Sequence, residues 1–201
     1  MNNLEQFNQM LFLRMNADAS ANGWALGAAA IAADYFIYAI PLVLLGLWLW
    51  GAKTERSAAL KAVAVCFIAL GINQLLAIAW PHPRPFMMGL GRTYIAHASD
   101  SSFPSDHATV FAAIGFTLLL TGCRKALAGG VLLLGLCVCW ARIFLGVHFP
   151  FDMLGAAAVA LAVYFPVSLI WQHVGEGLAS WIAGIYRKLL AWPIAKGWIR
   201  A

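Results

Sequence analysis

Five long apolar runs, separated by short polar segments, dominate this sequence. Each run contains about 20 residues, the length that an α-helix needs to cross the hydrocarbon core of a bilayer. Most charged side chains fall between the runs, where a membrane protein can expose them to water or to lipid headgroups. The sequence therefore predicts an all-α, polytopic membrane helical bundle with about five transmembrane helices. The expected spans cover residues 24–50, 58–80, 104–122, 127–146 and 150–171.

The composition agrees with a single integral membrane domain over residues 1–201. Hydrophobic residues make up 63% of the chain and charged residues only 10%, with a mean hydropathy of +0.80, whereas about a quarter of a soluble domain is charged. We expect an interfacial helix in residues 1–20, a transmembrane core in 24–172 and an amphipathic cytoplasmic tail in 175–201 that lies on the membrane surface as a separate helix. The four cysteines have no metal-site spacing, and we expect no disulfide.

The basic residues predict how the chain is oriented in the membrane. Five spans would place nine lysines and arginines on one side and four on the other, and the side with nine should be cytoplasmic. The four are Arg14, Arg84, Arg92 and Arg142. The net charge of +5 is thus explained by topology, and we expect no nucleic-acid partner. The long loop 81–103 should face outward.

Three polar segments are predicted to meet at that outer face. The first contains Arg84, the second runs from Ser101 to His107 and includes Ser105 and Asp106, and the third contains Arg142, His148 and Asp152. Arginine side chains hold phosphate oxygens in two-point contacts, and the start of the third span offers backbone N–H groups to the same anion.

The third segment is also suited to nucleophilic catalysis. Pro150 suits the first turn of a helix, so Asp152 should turn back toward His148, fix its tautomer and leave the other ring nitrogen free to attack. His107 is a second histidine that can protonate a leaving oxygen. The alternative for the third segment alone is a buried polar network at a helix junction.

These segments resemble the type 2 phosphatidic acid phosphatase superfamily, whose signature reads Lys-x6-Arg-Pro, Pro-Ser-Gly-His and Ser-Arg-x5-His-x3-Asp. The matching positions begin at Arg84, at Pro104 and at Ala141, and the resemblance covers about residues 58–171. The chain departs from the signature in three places: Ala77 replaces the lysine, Asp106 the glycine and Ala141 the serine. The Ser-Phe-Pro-Ser-Asp-His variant resembles the bacitracin-resistance-type undecaprenyl-diphosphate phosphatases of bacteria.

The resemblance implies a role for each matching residue. His148 would attack the terminal phosphorus, Asp152 would orient it, and His107 would protonate the leaving phosphate and then activate water. The phosphoryl group would be held by Arg84, Arg142, Ser105 and the backbone N–H of Asp106. Asn73, Arg92 and His82 are the candidates to replace the missing lysine, with Arg92 favoured over His82 as a contact to the leaving phosphate.

The implied activity is hydrolysis of undecaprenyl diphosphate at the outer face of the bacterial inner membrane, with no metal, no other cofactor and no obligatory protein partner. A polyprenyl diphosphate and membrane lipids would be its only partners. Three alternatives stay open at this point. The chain could be a phosphatase for another lipid phosphate, such as phosphatidylglycerophosphate, phosphatidic acid or lipid A. It could also be a phosphotransferase, or a lipid-binding protein or transporter with an inactive site.

Overall fold

The computed structural model describes residues 3–201, so Met1 and Asn2 of the expected N-terminal helix lie outside the described residues. The described part of the chain is built from helices and loops, which confirms the predicted helical bundle. The helices are α1 (Asn3–Met15), α2 (Gly23–Tyr35), α3 (Ala39–Trp50), α4 (Lys53–Ala79), α5 (Asp106–Leu120), α6 (Lys125–Phe144), α7 (Pro150–Leu189) and α8 (Ala191–Ala195).

Four helical segments among the described residues are long and apolar enough to cross a membrane, namely Gly23–Trp50, Lys53–Ala79, Lys125–Phe144 and Pro150–Leu189. The remaining expected span, α5, has 15 residues and is about 22 Å long, shorter than the roughly 30 Å hydrocarbon core. It packs against α4, α6 and α7, and most of its side chains are buried. The other helices therefore shield this short helix from lipid.

Helices α2 and α3 form one interrupted span. A short 3₁₀ helix, Phe36–Tyr38, joins them, and Pro41 follows in the first turn of α3. Proline has no backbone N–H, so the carbonyl four residues before it loses its helical partner and the preceding turn tightens. The predicted span at residues 24–50 is present, with this local change of winding.

Helix α7 corrects one expected boundary. It begins at Pro150, as predicted, but it does not end near Trp171 and continues as one helix of 40 residues to Leu189. With 40 residues it is longer than one membrane crossing needs, and its second half still contacts the bundle, since the ring of Tyr186 lies 5.8 Å from that of Trp48 and under the guanidinium of Arg56. The expected separate tail helix is therefore mostly the distal half of α7, and α8 is a short helix after it.

Helix α1 is more tightly attached to the bundle than an interfacial helix needs to be. Phe12 is fully buried, and its ring meets the ring of Phe149 edge-on at 5.3 Å between centroids. Asn8 Oδ1 accepts a hydrogen bond of 3.0 Å from the backbone N–H of Phe151, in the first turn of α7. A helix start has unpaired N–H groups, so α1 both packs against and caps the beginning of α7.

The two groups of basic residues lie at opposite ends of the bundle. At one end Arg124 pairs with Glu55 at the start of α4, and Arg56 donates a 2.6 Å hydrogen bond to the carbonyl oxygen of Arg200. At the other end Arg84 and Arg142 line one cavity. We call these the basic end and the cavity end.

Candidate active site

A small cavity opens where α4 ends, α5 begins and α6 ends. Its volume is about 190 Å³, below the 300–1,000 Å³ of pockets that enclose drug-sized ligands. It can therefore hold a small polar headgroup but not a long lipid tail. Its lining includes the predicted residues Arg84, Asp106, His107, Arg142 and His148.

His148 sits in the loop between α6 and α7, with only 2% of its surface exposed. Its Nδ1 lies 3.1 Å from Asp152 Oδ2. The same oxygen accepts a 2.7 Å hydrogen bond from the backbone N–H of Phe149 and a short one from the hydroxyl of Ser102. Asp152 follows His148 by four residues, and α7 begins between them at Pro150. The first turn of the helix therefore brings the two side chains together.

A cation lies against the ring of His148. Arg84 Nη1 lies 3.0 Å from His148 Nε2 and 3.4 Å from Nδ1, and it donates a 2.9 Å hydrogen bond to the carbonyl oxygen of Val147. An ionised carboxylate can only accept, so the 3.1 Å contact with Asp152 Oδ2 favours a neutral ring whose proton is on Nδ1. This is the tautomer in which Nε2 carries the lone pair needed for nucleophilic attack.

The environment keeps this ring neutral. Burial lowers the pKa of His148 well below its usual value, and the positive charges of Arg84 and Arg142 lower it further. Arg84 is itself oriented by Asp100, whose carboxylate accepts a 2.7 Å hydrogen bond from its Nε. Partial burial acts to raise the pKa of Asp100, but the hydrogen bond and charge of Arg84 outweigh it and hold that pKa below its usual value.

Arg142 approaches the cavity from the last turn of α6 and is almost completely buried. Its Nη1 donates to the carbonyl oxygen of Ala33 on α2 at 3.4 Å. Its Nε has no hydrogen-bond partner among the described residues. A buried, charged donor without a partner is costly, so Arg142 is suited to bind an anion that enters the cavity.

The start of α5 forms another wall. Ser105 is its N-cap residue and accepts from the N–H of Ala108 at 3.5 Å; it is buried and does not line the cavity itself. The next two residues, Asp106 and His107, do line it. The N-terminus of a helix favours an anion through its free N–H groups and its dipole.

The sequence comparisons agree with this geometry. Residues 58–176 match the PAP2 superfamily. The chain belongs to that family. It is 36% identical to YbjG of Escherichia coli (strain K12), over 98% of this chain and 99% of that one. The name of YbjG assigns it provisionally to the undecaprenyl-diphosphatases. It is also 36% identical to the undecaprenyl-diphosphatase BcrC of Bacillus subtilis (strain 168), over 66% of this chain and 67% of that one.

Solved PAP2 structures share the fold. The chain superimposes with a TM-score of 0.61 on the PAP2-type phosphatidylglycerolphosphate phosphatase of Bacillus subtilis, at 21% identity over 87% of this chain and 89% of that one. It superimposes with a TM-score of 0.60 on Aquifex aeolicus LpxE, at 19% identity over 80% and 94% of the two chains. At these identities the likeness establishes the arrangement of helices.

The missing PAP2 lysine leaves an identifiable gap. Ala77, which occupies its position, lines the cavity together with Asn73 and Gln74 one turn earlier on α4. Asn73 Nδ2 lies 2.8 Å from one carboxylate oxygen of Asp106, and Gln74 Nε2 lies 3.2 Å from the other. Relative to the PAP2 signature, this wall has lost a positive charge and gained a negative one that two amides hold in place.

The two outer-loop candidates for the lysine's role lie elsewhere. His82 does not line the cavity; its Nε2 is 3.3 Å from Glu5 on α1. Arg92 is exposed and also outside the lining, and its backbone is held by the side-chain amide of Asn16. A contact between either residue and a leaving phosphate therefore stays a prediction that this arrangement does not favour.

Two residues of the candidate site, Ser102 and Gln74, were given no role from the sequence alone. Ser102 is completely buried and contacts Asp152 across 50 positions of the chain, and no local pattern signals such a contact. Gln74 was overlooked although a signal existed, because a polar residue inside an apolar membrane run is costly and is usually there for a reason.

Proposed function

We propose that this PAP2 protein hydrolyses undecaprenyl diphosphate to undecaprenyl phosphate and inorganic phosphate through a phosphohistidine. The observation that carries the proposal is the orientation of His148, whose Nδ1 faces Asp152 while Nε2 faces Arg84 in the cavity. The names of the relatives from Escherichia coli and Bacillus subtilis support the choice of substrate.

The proposed first step is transfer of the terminal phosphoryl group to the enzyme. Arg84, whose Nη1 lies beside the His148 ring, and Arg142 bind the phosphoryl oxygens. Nε2 attacks phosphorus, a P–N bond forms, and the bond to the bridging oxygen breaks. His107 gives its proton to the leaving undecaprenyl phosphate, while Asp152 balances the positive charge that develops on the imidazole.

The second step returns the enzyme to its starting state. His107, now neutral, removes a proton from a water molecule, and the oxygen attacks the phosphorus of phosphohistidine. The P–N bond breaks, its electron pair returns to Nε2, and inorganic phosphate leaves. The arginines and the N-terminus of α5 stabilise the equatorial oxygens in both steps, which is the main requirement of phosphoryl transfer.

The test of the activity combines a substrate panel with trapping of the intermediate. Purified protein should release phosphate from undecaprenyl diphosphate faster than from phosphatidylglycerophosphate, phosphatidic acid or a lipid A phosphate. With a substrate labelled in the terminal phosphate, His107→Ala should accumulate an acid-labile, base-stable phosphoprotein that His148→Gln does not form. A label that persists in His148→Gln would refute the nucleophile, and a preference for another lipid would refute the substrate.

We further propose that the cavity end faces the outside of the bacterial inner membrane and that residues 175–201 lie on the cytoplasmic side, because the basic end carries the larger share of lysine and arginine. A single cysteine at Ser99 should react with a membrane-impermeant thiol reagent in intact cells lacking an outer membrane barrier. A cysteine at Lys125 should react only after lysis. The opposite labelling pattern would place the cavity in the cytoplasm.

A further inference from the structure

A second, larger cavity lies at the basic end of the bundle. Its volume is about 560 Å³, and it is enclosed by the start of α4, the end of α5 and the distal half of α7. Lys61 on its wall and Ala77 in the first cavity are 77 − 61 = 16 residues apart on α4, which corresponds to about 24 Å along the helix. The two cavities are therefore separate.

Lys61 is the unusual member of this lining. Only 8% of its surface is exposed, and it lies within the membrane-spanning helix α4. Its Nζ is 4.7 Å from the ring centre of Tyr164, and it takes part in none of the ion pairs found in residues 3–201. Most of the side chain is therefore packed away while its ammonium group borders the cavity, where an anion could pair with it more strongly than the ring face does.

The other charges around the cavity do not supply the anion. Lys53, Arg56 and Arg187 line it with Lys61, and Glu176 is the acidic side chain in the lining. The side chains of the lining thus carry four positive charges and one negative charge, and the carboxylate of Ala201, which also borders the cavity, forms none of the ion pairs found in residues 3–201. Arg56 is occupied by the carbonyl oxygens of Trp48 and Arg200, neither of which carries a charge.

The lining also suits a membrane interface. Trp171 contributes an indole whose Nε1 donates a 3.0 Å hydrogen bond to Ser57 Oγ, and both residues border the cavity. Tryptophan with one apolar face and one polar group is typical of the boundary between headgroups and hydrocarbon. Small residues of α7, Ala179 and Ala183, leave the space open on the other side.

We propose that this cavity is a binding site for a phosphate-bearing anion, with Lys61, Lys53 and Arg187 supplying the positive charge. The anion is either the headgroup of an anionic membrane lipid or a soluble phosphate. Binding there is independent of turnover at His148, because no residue is shared between the two cavities. Because the anion binds the folded state and not the unfolded chain, it should stabilise the protein.

The experiment measures thermal unfolding of the full chain in nanodiscs of phosphatidylcholine, with and without phosphatidylglycerol, and separately with inorganic phosphate at constant ionic strength. The variant is Lys61→Met, which keeps the length of the side chain and removes its charge. The matched control is Lys125→Met, which removes an exposed charge at the same end of the bundle but outside the cavity.

We expect an anion at tenfold excess over its Kd to raise the Tm of the unmodified protein by about 3–5 °C, and Lys61→Met to abolish that rise. Lys61→Met itself should unfold at the same or a higher temperature without anion, since it removes one of four like charges that line the cavity. A rise with phosphatidylglycerol alone identifies a lipid headgroup, and an equal rise with inorganic phosphate identifies a soluble anion. The proposal would be overturned if neither anion raised the Tm of the unmodified protein. It would also be overturned if Lys125→Met abolished the rise as Lys61→Met does.

Discussion

Replacing Asp152 with asparagine separates the charge of this residue from its role in holding His148. Asparagine has nearly the same shape, and its amide oxygen can still accept from Ser102, from the N–H of Phe149 and from His148 Nδ1, the three partners of Oδ2. The ring should therefore keep its orientation and tautomer. What is lost is the negative charge 3.1 Å from the ring nitrogen.

The size of the effect follows from that distance. When His148 attacks phosphorus, its ring becomes positively charged, and two unit charges about 4 Å apart interact by about 4 kcal/mol at an effective dielectric constant of about 20. Each 1.36 kcal/mol is about a factor of ten in rate. We therefore expect kcat of Asp152→Asn to fall about a thousandfold, while KM changes much less because Asp152 does not line the cavity.

The assay is release of inorganic phosphate at several substrate concentrations, with Ser102→Ala as the control. Ser102→Ala keeps the charge and removes one hydrogen bond, so it should lose about tenfold or less in kcat. In Asp152→Asn the NH₂ group takes the place of Asp152 Oδ1, which is buried and has no hydrogen-bond partner in the described structure. The variant therefore buries an unpaired donor, and its Tm should fall by a few degrees. A kcat within tenfold of the unmodified enzyme, or a loss confined to KM, would refute the charge-balancing role.

Four further outcomes are expected. In His107→Ala, formation of the phosphohistidine should slow much less with a nitrophenyl phosphate, whose leaving group needs no proton, than with the natural substrate; an equal slowing of this first step with both would refute a proton-donor role. Burial, and next the charge of Arg84, lower the pKa of His97 in the folded protein. Neutral His97 therefore makes its full contribution to stability above the pKa of the unfolded chain, about 6.5, and that contribution is lost as the pH falls below this value. The drop in Tm from pH 7 to 5 should thus be smaller in His97→Gln, and an unchanged drop would contradict this. Phe12→Ala should lower the free energy of unfolding by about 3–5 kcal/mol, measured by denaturant titration in mixed micelles; a loss below about 1 kcal/mol would show that α1 is only loosely attached. Gln74→Ala should change the ratio of kcat/KM for diphosphate over monophosphate more than Arg92→Ala does, because Gln74 lines the cavity, and the reverse order would restore Arg92 to the site.

The membrane class, the helical bundle and the main polar segments could be predicted from the residues alone. Apolar runs of membrane-spanning length leave the backbone little choice other than helix, because each N–H and C=O must be paired within the segment. His148 and Asp152 could be paired in advance for a similar reason, since four positions across a helix start are neighbours in space. Such features depend on short stretches of sequence, which is why they can be read from it.

Helix ends were less predictable where composition changed gradually. The glycines and polar residues after Trp171 suggested that the fifth span stops there, yet α7 continues to Leu189. A glycine costs about 1 kcal/mol in a helix interior, and packing can offset that amount; Gly175 is buried in this helix. The boundary was therefore decided by tertiary contacts that hydropathy does not report.

Tertiary structure alone decided which distant residues meet. Ser102 reaches Asp152, Asn8 caps α7, and Lys61 lies over the ring of Tyr164. Each of these contacts joins segments separated by dozens of residues or more, and no periodicity or short motif specifies how a loop crosses a bundle. The sequence determined which chemical groups are available and at which end of their helices they lie. Their partners, their burial and their access to a cavity were decided by how the helices and the long loop pack.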